Sequence, residues 1–382
     1  MSDIGYNDNV QVYGRKFHVQ TATQSSKGMA SCEVFEAGRV INKNYISFER
    51  RGQSDEEQME NRIRKIVENM HQETLSEIEL MFAIAKKIKS LGHAPSHVKM
   101  GLLFVKNNLM QDAVNEFKTA IEINPKQIDA YNNLGLAHIK AKDYAESVKV
   151  FERALLMQPG YADVHHNLGM AYFHEKQHHK GLEHIQKALR INPEYQIARY
   201  NQAMIYMDSI LSDRKDKKLP PATIRVERAI QQLQVLVDAG LDGALETLNK
   251  VKKALIAKDF NNSIKILESA REKLFPDEIH SIIGINFYLR FMYGGKNLTK
   301  RSLKKFEQDL INSIESNDEY ADLWNNLGIV HLIQCRNLFL KALGEFNKAL
   351  EINPKFEKAL KNKKLVENDG KEFLILLRAI LK

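Results

Sequence analysis

The stretch YNNLG at residues 131–135 recurs as HHNLG at 165–169 and as WNNLG at 324–328. A Leu-Gly pair that returns in a fixed frame asks for one packing arrangement used repeatedly, and the spacing says which. Pro125, Pro159 and Pro193 follow one another at intervals of 34 residues, each closing a unit. Gly101, Gly135 and Gly169 form one column, and Ala120, Ala154 and Ala188 a second. Phe104, His138 and Tyr172 form a third, and Phe117, Phe151 and Ile185 a fourth. Small residues let two helices approach closely, aromatic residues fill the space between units, and proline ends the second helix before the next begins.

A 34-residue period with these columns resembles the tetratricopeptide repeat. The resemblance implies a mainly α chain: helix pairs stacked into an α-solenoid, each unit burying its apolar face on its neighbours. It covers residues 94–195 as three regular units and then loosens. Residues 196–242 read as an interrupted fourth unit whose two helices are parted by a charged loop at 208–223. Residues 243–320 read as degenerate units, in which AKDFNNSIKILESA at 257–270 keeps the spacing of AKDYAESVKVFERA at 141–154. The signature returns over 321–366 as a last clear repeat and capping helix, through Trp324, Leu327, Gly328, Ala342, Phe346, Ala349 and Pro354. About seven helix pairs are expected. Residues 367–382 close the chain with an apolar helix that would fold back on the last repeat or dock onto a second chain.

The beginning is different. Residues 1–52 alternate and are rich in Val, Ile, Tyr, Phe and Thr, which predicts a small antiparallel β meander of three or four strands with a turn at EAGR, 36–39. It resembles small β domains attached to other modules in bacterial proteins, a resemblance that assigns no function. Residues 53–93 predict one long connecting helix: Ser54 and Glu57 make a capping box, and Met59, Ile63, Ile66, Met70, Ile78, Phe82 and Ile88 keep helical spacing. So long a helix must have a partner along its length, and packing within the chain is expected.

The chain has 382 residues, a formal net charge of +8 and a pI near 9.1. The excess charge sits in clusters such as TKRSLKK at 299–305 and KALKNKK at 358–364, which read as solvated helix faces, so nucleic acid is not the expected partner. The first residues carry no basic-then-apolar leader, the densest apolar run is too short to span a bilayer, and the two cysteines lie far apart. A cytoplasmic protein with reduced thiols is expected. Gly-rich phosphate loops, nucleophile elbows and zinc signatures are absent from the sequence, so no catalytic residue, cofactor or metal is assigned. The one cluster to weigh for chemistry is His165, His166, His174, His178, His179 and His184, where His174 and His178 have the i, i+4 spacing that can place two imidazoles on one metal. It is read as solvated histidine.

The Asn that precedes Leu-Gly needs another reason. Asn133, Asn167 and Asn201 recur at the same period and stand one residue before the inward Leu, so they point elsewhere. In tetratricopeptide folds this position lines the concave groove, and in this column the repeats resemble those of the protein O-linked N-acetylglucosamine transferases. That resemblance implies an asparagine ladder that grips the backbone of an extended peptide, since an amide both donates and accepts; the alternative is an Asn that only satisfies local backbone groups or faces water. Asn132 and His166 flank the ladder, with Leu136, Met170 and Met204 in one apolar column and Phe173 and Met207 in another. A clamp for a partner's C-terminal carboxylate is not expected: the family pattern for it has a Lys or Arg near the ladder in the first repeat and an Asn one turn later, and this sequence departs from it with Val98 and Leu102. The sequence therefore predicts a scaffold or adaptor that holds a peptide segment of a partner protein. The alternative is a self-assembling structural coat, in which the repeats and terminal helices build homo-oligomers.

Overall fold

The computed structural model describes residues 3–48, 56–212, 217–275, 279–294, 299–316 and 321–367. They pack as two compact units, Met1–Glu278 and Ile279–Lys382, a division that the repeat pattern does not reveal.

The first unit begins with a four-stranded antiparallel meander in the order β1 (Gly5–Val12), β2 (Arg15–Gln24), β3 (Met29–Glu36), β4 (Arg39–Ser47). Two of its connections are two-residue turns in which both residues take positive φ: Tyr13 and Gly14 at 49° and 82°, Ala37 and Gly38 at 47° and 77°. Such turns match the right-handed twist of the strands they join. Alternation then decides the faces. Phe17, Val19, Thr21, Cys32 and Val34 point to one side and are buried, and α1 (Glu56–Lys89) lies across that side with Ile63, Val67, Met70, Ile78 and Phe82. The long helix therefore has its partner within the chain. Buried polar groups in this seam bond to each other: Thr21 to Cys32 and His71, and His71 Nε2 to Asp8 at 3.0 Å.

Helix pairs follow: α2 (Ala94–Lys106) with α3 (Met110–Ile123), α4 (Ile128–Lys140) with α5 (Tyr144–Met157), and α6 (Ala162–His174) with α7 (His178–Ile191). Next come α8 (Gln196–Ser212) with α9 (Ala222–Asp238), and α10 (Ala244–Ile256) with α11 (Phe260–Leu274). A shared turn makes four of the five pairs, all but α8 with α9. Asn108, Lys142, Lys176 and Lys258 take left-handed φ of 52°, 62°, 61° and 56°. The next residue's N–H reaches back to a carbonyl five residues earlier, as from Asp143 to His138 at 2.9 Å and Gln177 to Tyr172 at 2.8 Å. That bond closes the spent helix and starts the next. Arg15, paired with Glu36 inside the meander, ties it to the first pair through Asp112 at 2.8 Å, and Phe82 meets Phe104 at 5.6 Å. The β element and α1 thus cover the apolar end face that a first repeat would otherwise expose.

The recurring glycine has a measurable cause. A Cβ on Gly101 would lie 2.4 Å from the Phe117 ring, and one on Gly135 2.5 Å from that of Phe151. The two helices of a pair come too close for any side chain at this position.

The second unit contains α12 (Ile279–Tyr293), α13 (Lys300–Ser316) and α14 (Ala321–Ile352), around a core of Phe287, Leu303, Phe306, Leu310, Leu327 and Val330. Here the expectation of a last clear helix pair over 321–366 is corrected. The supposed pair is one continuous helix of 32 residues, followed by a helical stretch at 357–367. The segment IQCRNLFLK offers neither a glycine nor an Asp or Ser cap after its Asn, so nothing competes with continued helix. Accordingly a Cβ on Gly328 would meet nothing within 4 Å, and Trp324 and Leu338 are 53% and 67% exposed. The charged loop expected at 208–223 is also shorter, because α8 runs on to Ser212. Asp208 holds that last turn, accepting from Ser212 Oγ and from His178 Nε2 at 2.6 Å. The capping-box residue Ser54 and most of the apolar segment 367–382 lie outside the described residues.

Candidate functional site

The first helices of successive pairs, α2, α4, α6 and α8, line the inner face of the stack, and the asparagine column lies along them. Its members do not share one environment. Asn133 is half-buried and its Nδ2 donates to Asp129 O of its own helix at 2.8 Å. Asn167, also half-buried, donates to Asn132 Oδ1 at 2.9 Å. Asn201 is fully buried: its Nδ2 meets His166 Nε2 at 2.7 Å and its Oδ1 receives Arg271 Nε at 3.3 Å.

These bonds form one directional chain. Arg271 is only a donor, so Asn201 must accept with its oxygen and donate with its amide. His166 Nε2 must then be the acceptor and its Nδ1 must carry the proton, which goes to Asn167 Oδ1 at 3.1 Å. Asn167 in turn donates to Asn132. The order Arg271, Asn201, His166, Asn167, Asn132 leaves no ambiguity of tautomer or amide orientation. Burial pushes His166 down to about 4 against its ordinary 6.5, so the neutral form that this chain needs is the one present at neutral pH.

The inner face is shorter than the sequence suggests, and here the expected site is corrected. Met170, Phe173, Met204 and Met207 are core residues, 7%, 8%, 5% and 0% exposed, in a cluster with α9, α10 and α11. The degenerate helix α11 folds onto α8 instead of continuing the open row: Tyr200 Oη donates to Leu267 O at 2.6 Å and its ring meets Phe275 at 5.5 Å. Asn201, Met204, Met207 and His166 therefore face the chain itself. Leu136, Asn132, Asn133 and Asn167 stay half-buried. A signal for this is present, since the apolar residues of α8 (YNQAMIYMDSIL) extend over more than half of its circumference, which marks a helix covered on more than one side. Nothing in the sequence marks Arg271, which reaches Asn201 from a helix whose repeat register has decayed.

The histidine cluster separates. Lys176 makes the turn between α6 and α7, so His174 and His178 sit on different helices. His174 stacks on Tyr144 at 4.9 Å, while His178 is buried against Asp208. His165 Nε2 donates to Pro159 O at 2.9 Å and its Nδ1 accepts from His184 Nδ1 at 3.1 Å. Burial lowers both imidazoles, His184 to about 4. Among the described residues no group of three or more His, Cys, Asp or Glu side chains could hold a metal ion, and no helix is long and apolar enough to cross a membrane.

Paired helices on a 34-residue period, closed by a left-handed turn and packed through a glycine, define a helical repeat module. Family models agree: one for the TPR repeat matches residues 101–142, and two for the tetratricopeptide repeat match 128–161 and 162–195. Residues 101–195 are tetratricopeptide repeats. No curated protein matches the chain. Among solved structures, MamA is similar at 20% identity over 43% of this chain and 94% of its own, with a TM-score of 0.35. YrrB, described as a TPR protein with an unusual peptide-binding site, is similar at 19% identity over 52% and 94%, TM-score 0.36. A tetratricopeptide repeat protein from Parabacteroides merdae is similar at 17% identity over 72% and 98%, TM-score 0.36.

Proposed function

We propose that the chain is a non-catalytic adaptor that binds an extended segment of a partner protein along the half-exposed inner face of α2, α4 and α6. Tetratricopeptide repeats are interaction modules, which supports the general role. The observation that carries the specific reading is the state of two neighbouring amides. Among the described residues Asn132 Nδ2 has no hydrogen-bond partner and Asn133 Oδ1 has none. One donor and one acceptor are what a peptide unit requires, whatever its side chain. Asn132 is held in place by the chain that ends at Arg271, so less side-chain freedom is lost when a segment binds. Leu136 offers an apolar contact beside these amides, and Leu102 stands in its register one repeat earlier. The segment would be extended, with intermittent apolar residues, and would end where α11 closes the row. Asn201, Met204 and Met207 support this surface without touching the ligand.

The test begins by replacing Leu136 with p-benzoylphenylalanine in the full chain and irradiating it in extract of the native cell, so that mass spectrometry of the adduct identifies the bound segment. A synthetic copy of that segment is then titrated by fluorescence anisotropy. Substituting Asn132, Asn133 and Asn167 together by Ala should weaken its binding at least about tenfold, the loss of one to two net hydrogen bonds. Unchanged affinity would remove the inner face as the site.

A further inference from the structure

The repeat frame allows one unit to be compared with the next, position by position. In the third repeat Tyr172 donates its phenol to Glu152 Oε1 at 2.6 Å. One period earlier both partners are exchanged, with His138 in place of the tyrosine and Lys118 in place of the glutamate. A second column differs as well. His165 and Arg199 each bond the carbonyl of the proline six residues before them, Pro159 at 2.9 Å and Pro193 at 2.6 Å. Tyr131 occupies that column in the second repeat, and its hydroxyl has no partner.

These exchanges open a cleft of about 450 Å³ between α3, α4 and α5, within the 300–1,000 Å³ usual for small-molecule sites. Two buried polar atoms on its wall lack a hydrogen-bond partner, Tyr131 Oη and His138 Nε2, in residues only 2% and 9% exposed. An unmade bond at such depth is unfavourable and needs an explanation. His138 Nδ1 faces Asp143 Oδ2 at 3.5 Å, which puts the ring proton there and leaves Nε2 as an acceptor. Burial lowers the imidazole from its ordinary value and so favours that neutral form. Three cations, Lys118, Lys149 and Arg153, and two carboxylates, Glu122 and Glu146, also line the cleft, and Lys149 pairs with Glu146 at 3.0 Å. Arg153 lies over the Tyr131 ring at 5.5 Å, and neither it nor Lys118 has a carboxylate partner among the described residues. The floor is apolar, formed by Ile121, Leu134 and Val150.

We propose that this cleft binds a small organic anion with an apolar body and a hydroxyl donor. The hydroxyl donates to His138 Nε2, the anionic group accepts from Tyr131 Oη beside Lys118 and Arg153, and the body lies on the apolar floor. Tyr131, Leu134 and His138 stand at i, i+3 and i+7 on one face of α4, whereas Asn132, Asn133 and Leu136 occupy the opposite face. The cleft is thus a second site, independent of the segment-binding surface.

The full chain should bind 4-hydroxyphenylacetate saturably in calorimetric titration. Phenylacetate, which lacks the donor, and 4-hydroxyphenylacetamide, which lacks the charge, should each bind about tenfold more weakly. Tyr131→Phe should weaken the hydroxy acid by a similar factor. The double variant Lys118→Glu/His138→Tyr recreates the Tyr172–Glu152 pair of the next repeat and should fold, because that repeat already packs these side chains in this frame. It should abolish binding and raise Tm. Asn133→Ala should leave binding unchanged. Absence of saturable binding to the wild-type chain, or equal binding by the double variant, overturns the proposal.

Discussion

His166 offers the most direct test of the inner face, because one proton controls a whole run of hydrogen bonds. Its Nε2 accepts from Asn201, so protonation there would set two N–H donors against each other in a site that is only 5% exposed. The folded imidazole is held at about 4 and the unfolded one titrates near 6.5. With the folded value lowered, the stabilising contribution is complete above pH 6.5 and is lost as pH falls through 4. At pH 4.5 the unfolded chain has taken up this proton and the folded chain mostly has not. At about 1.36 kcal/mol per unit, the two units between 6.5 and 4.5 remove roughly 2.5 kcal/mol of stability. Other histidines add to the drop, so the measurement is a difference. Urea unfolding at pH 7 and pH 4.5 is compared between wild type and His166→Asn, which installs the residue that Asn132 provides one repeat earlier. The variant should be less stable at pH 7, because it loses the packing on Tyr195. Its fall in stability between the two pH values should be smaller by roughly 2.5 kcal/mol. Equal falls in the two proteins, or an NMR titration that puts His166 near its ordinary value, would refute the directional chain.

Three further outcomes follow from the same geometry. Asn201→Ala removes a buried amide and strands Arg271, and should cost about 2–3 kcal/mol in urea unfolding, whereas Asn133→Ala on the half-buried face should change stability by less than about 0.5 kcal/mol. Gly135→Ala drives a methyl into the Phe151 ring and should destabilise by roughly 1–3 kcal/mol, while Gly328→Ala, in open space on a helix, should be neutral or stabilise by up to about 1 kcal/mol; equal penalties would mean that the last repeat is a true pair. Asp208 is disfavoured as a carboxylate by burial, yet bonds from His178, Lys176 and Ser212 outweigh this and hold it down at about 2 against an ordinary 3.8. Its contribution of about 2 kcal/mol is present above pH 4 and lost as pH falls through 2, so Asp208→Asn should flatten acid unfolding over that window.

How far the sequence could be read depended on whether a residue's partner lay within one period of it. The Leu-Gly frame, the prolines and the left-handed turn residues act over distances shorter than a repeat, so columns of the sequence translate into columns of the structure. The same holds for AKDF at 257–260, where Lys258 and Asp259 reproduce the turn of Lys142 and Asp143 although the rest of the unit has drifted. The site was less legible because its boundary is set at long range. Asn133, Asn167 and Asn201 look alike in sequence, and what distinguishes them is Arg271, seventy residues beyond the last of them.

The motif WNNLG at 324–328 failed for a related reason. Its letters match, but a glycine has a packing role only if a second helix returns to lie against it, and that return is decided by the turn about two helical turns later. Where the turn has Lys-Asp with a left-handed backbone, as at 142–143, the helix reverses and Phe151 fills the space above Gly135. Where it reads Arg-Asn-Leu, at 336–338, the helix continues to Ile352 and Gly328 meets nothing. The repeat is therefore specified jointly by the close-packed glycine and the turn that brings the second helix onto it. A chain that keeps the first and loses the second retains the signature without the fold. Installing Gly-Asp within 336–338 should introduce a break in α14, read as faster hydrogen exchange at those amides than in the wild-type helix; uniform protection through the substituted segment would show that the turn is not what decides.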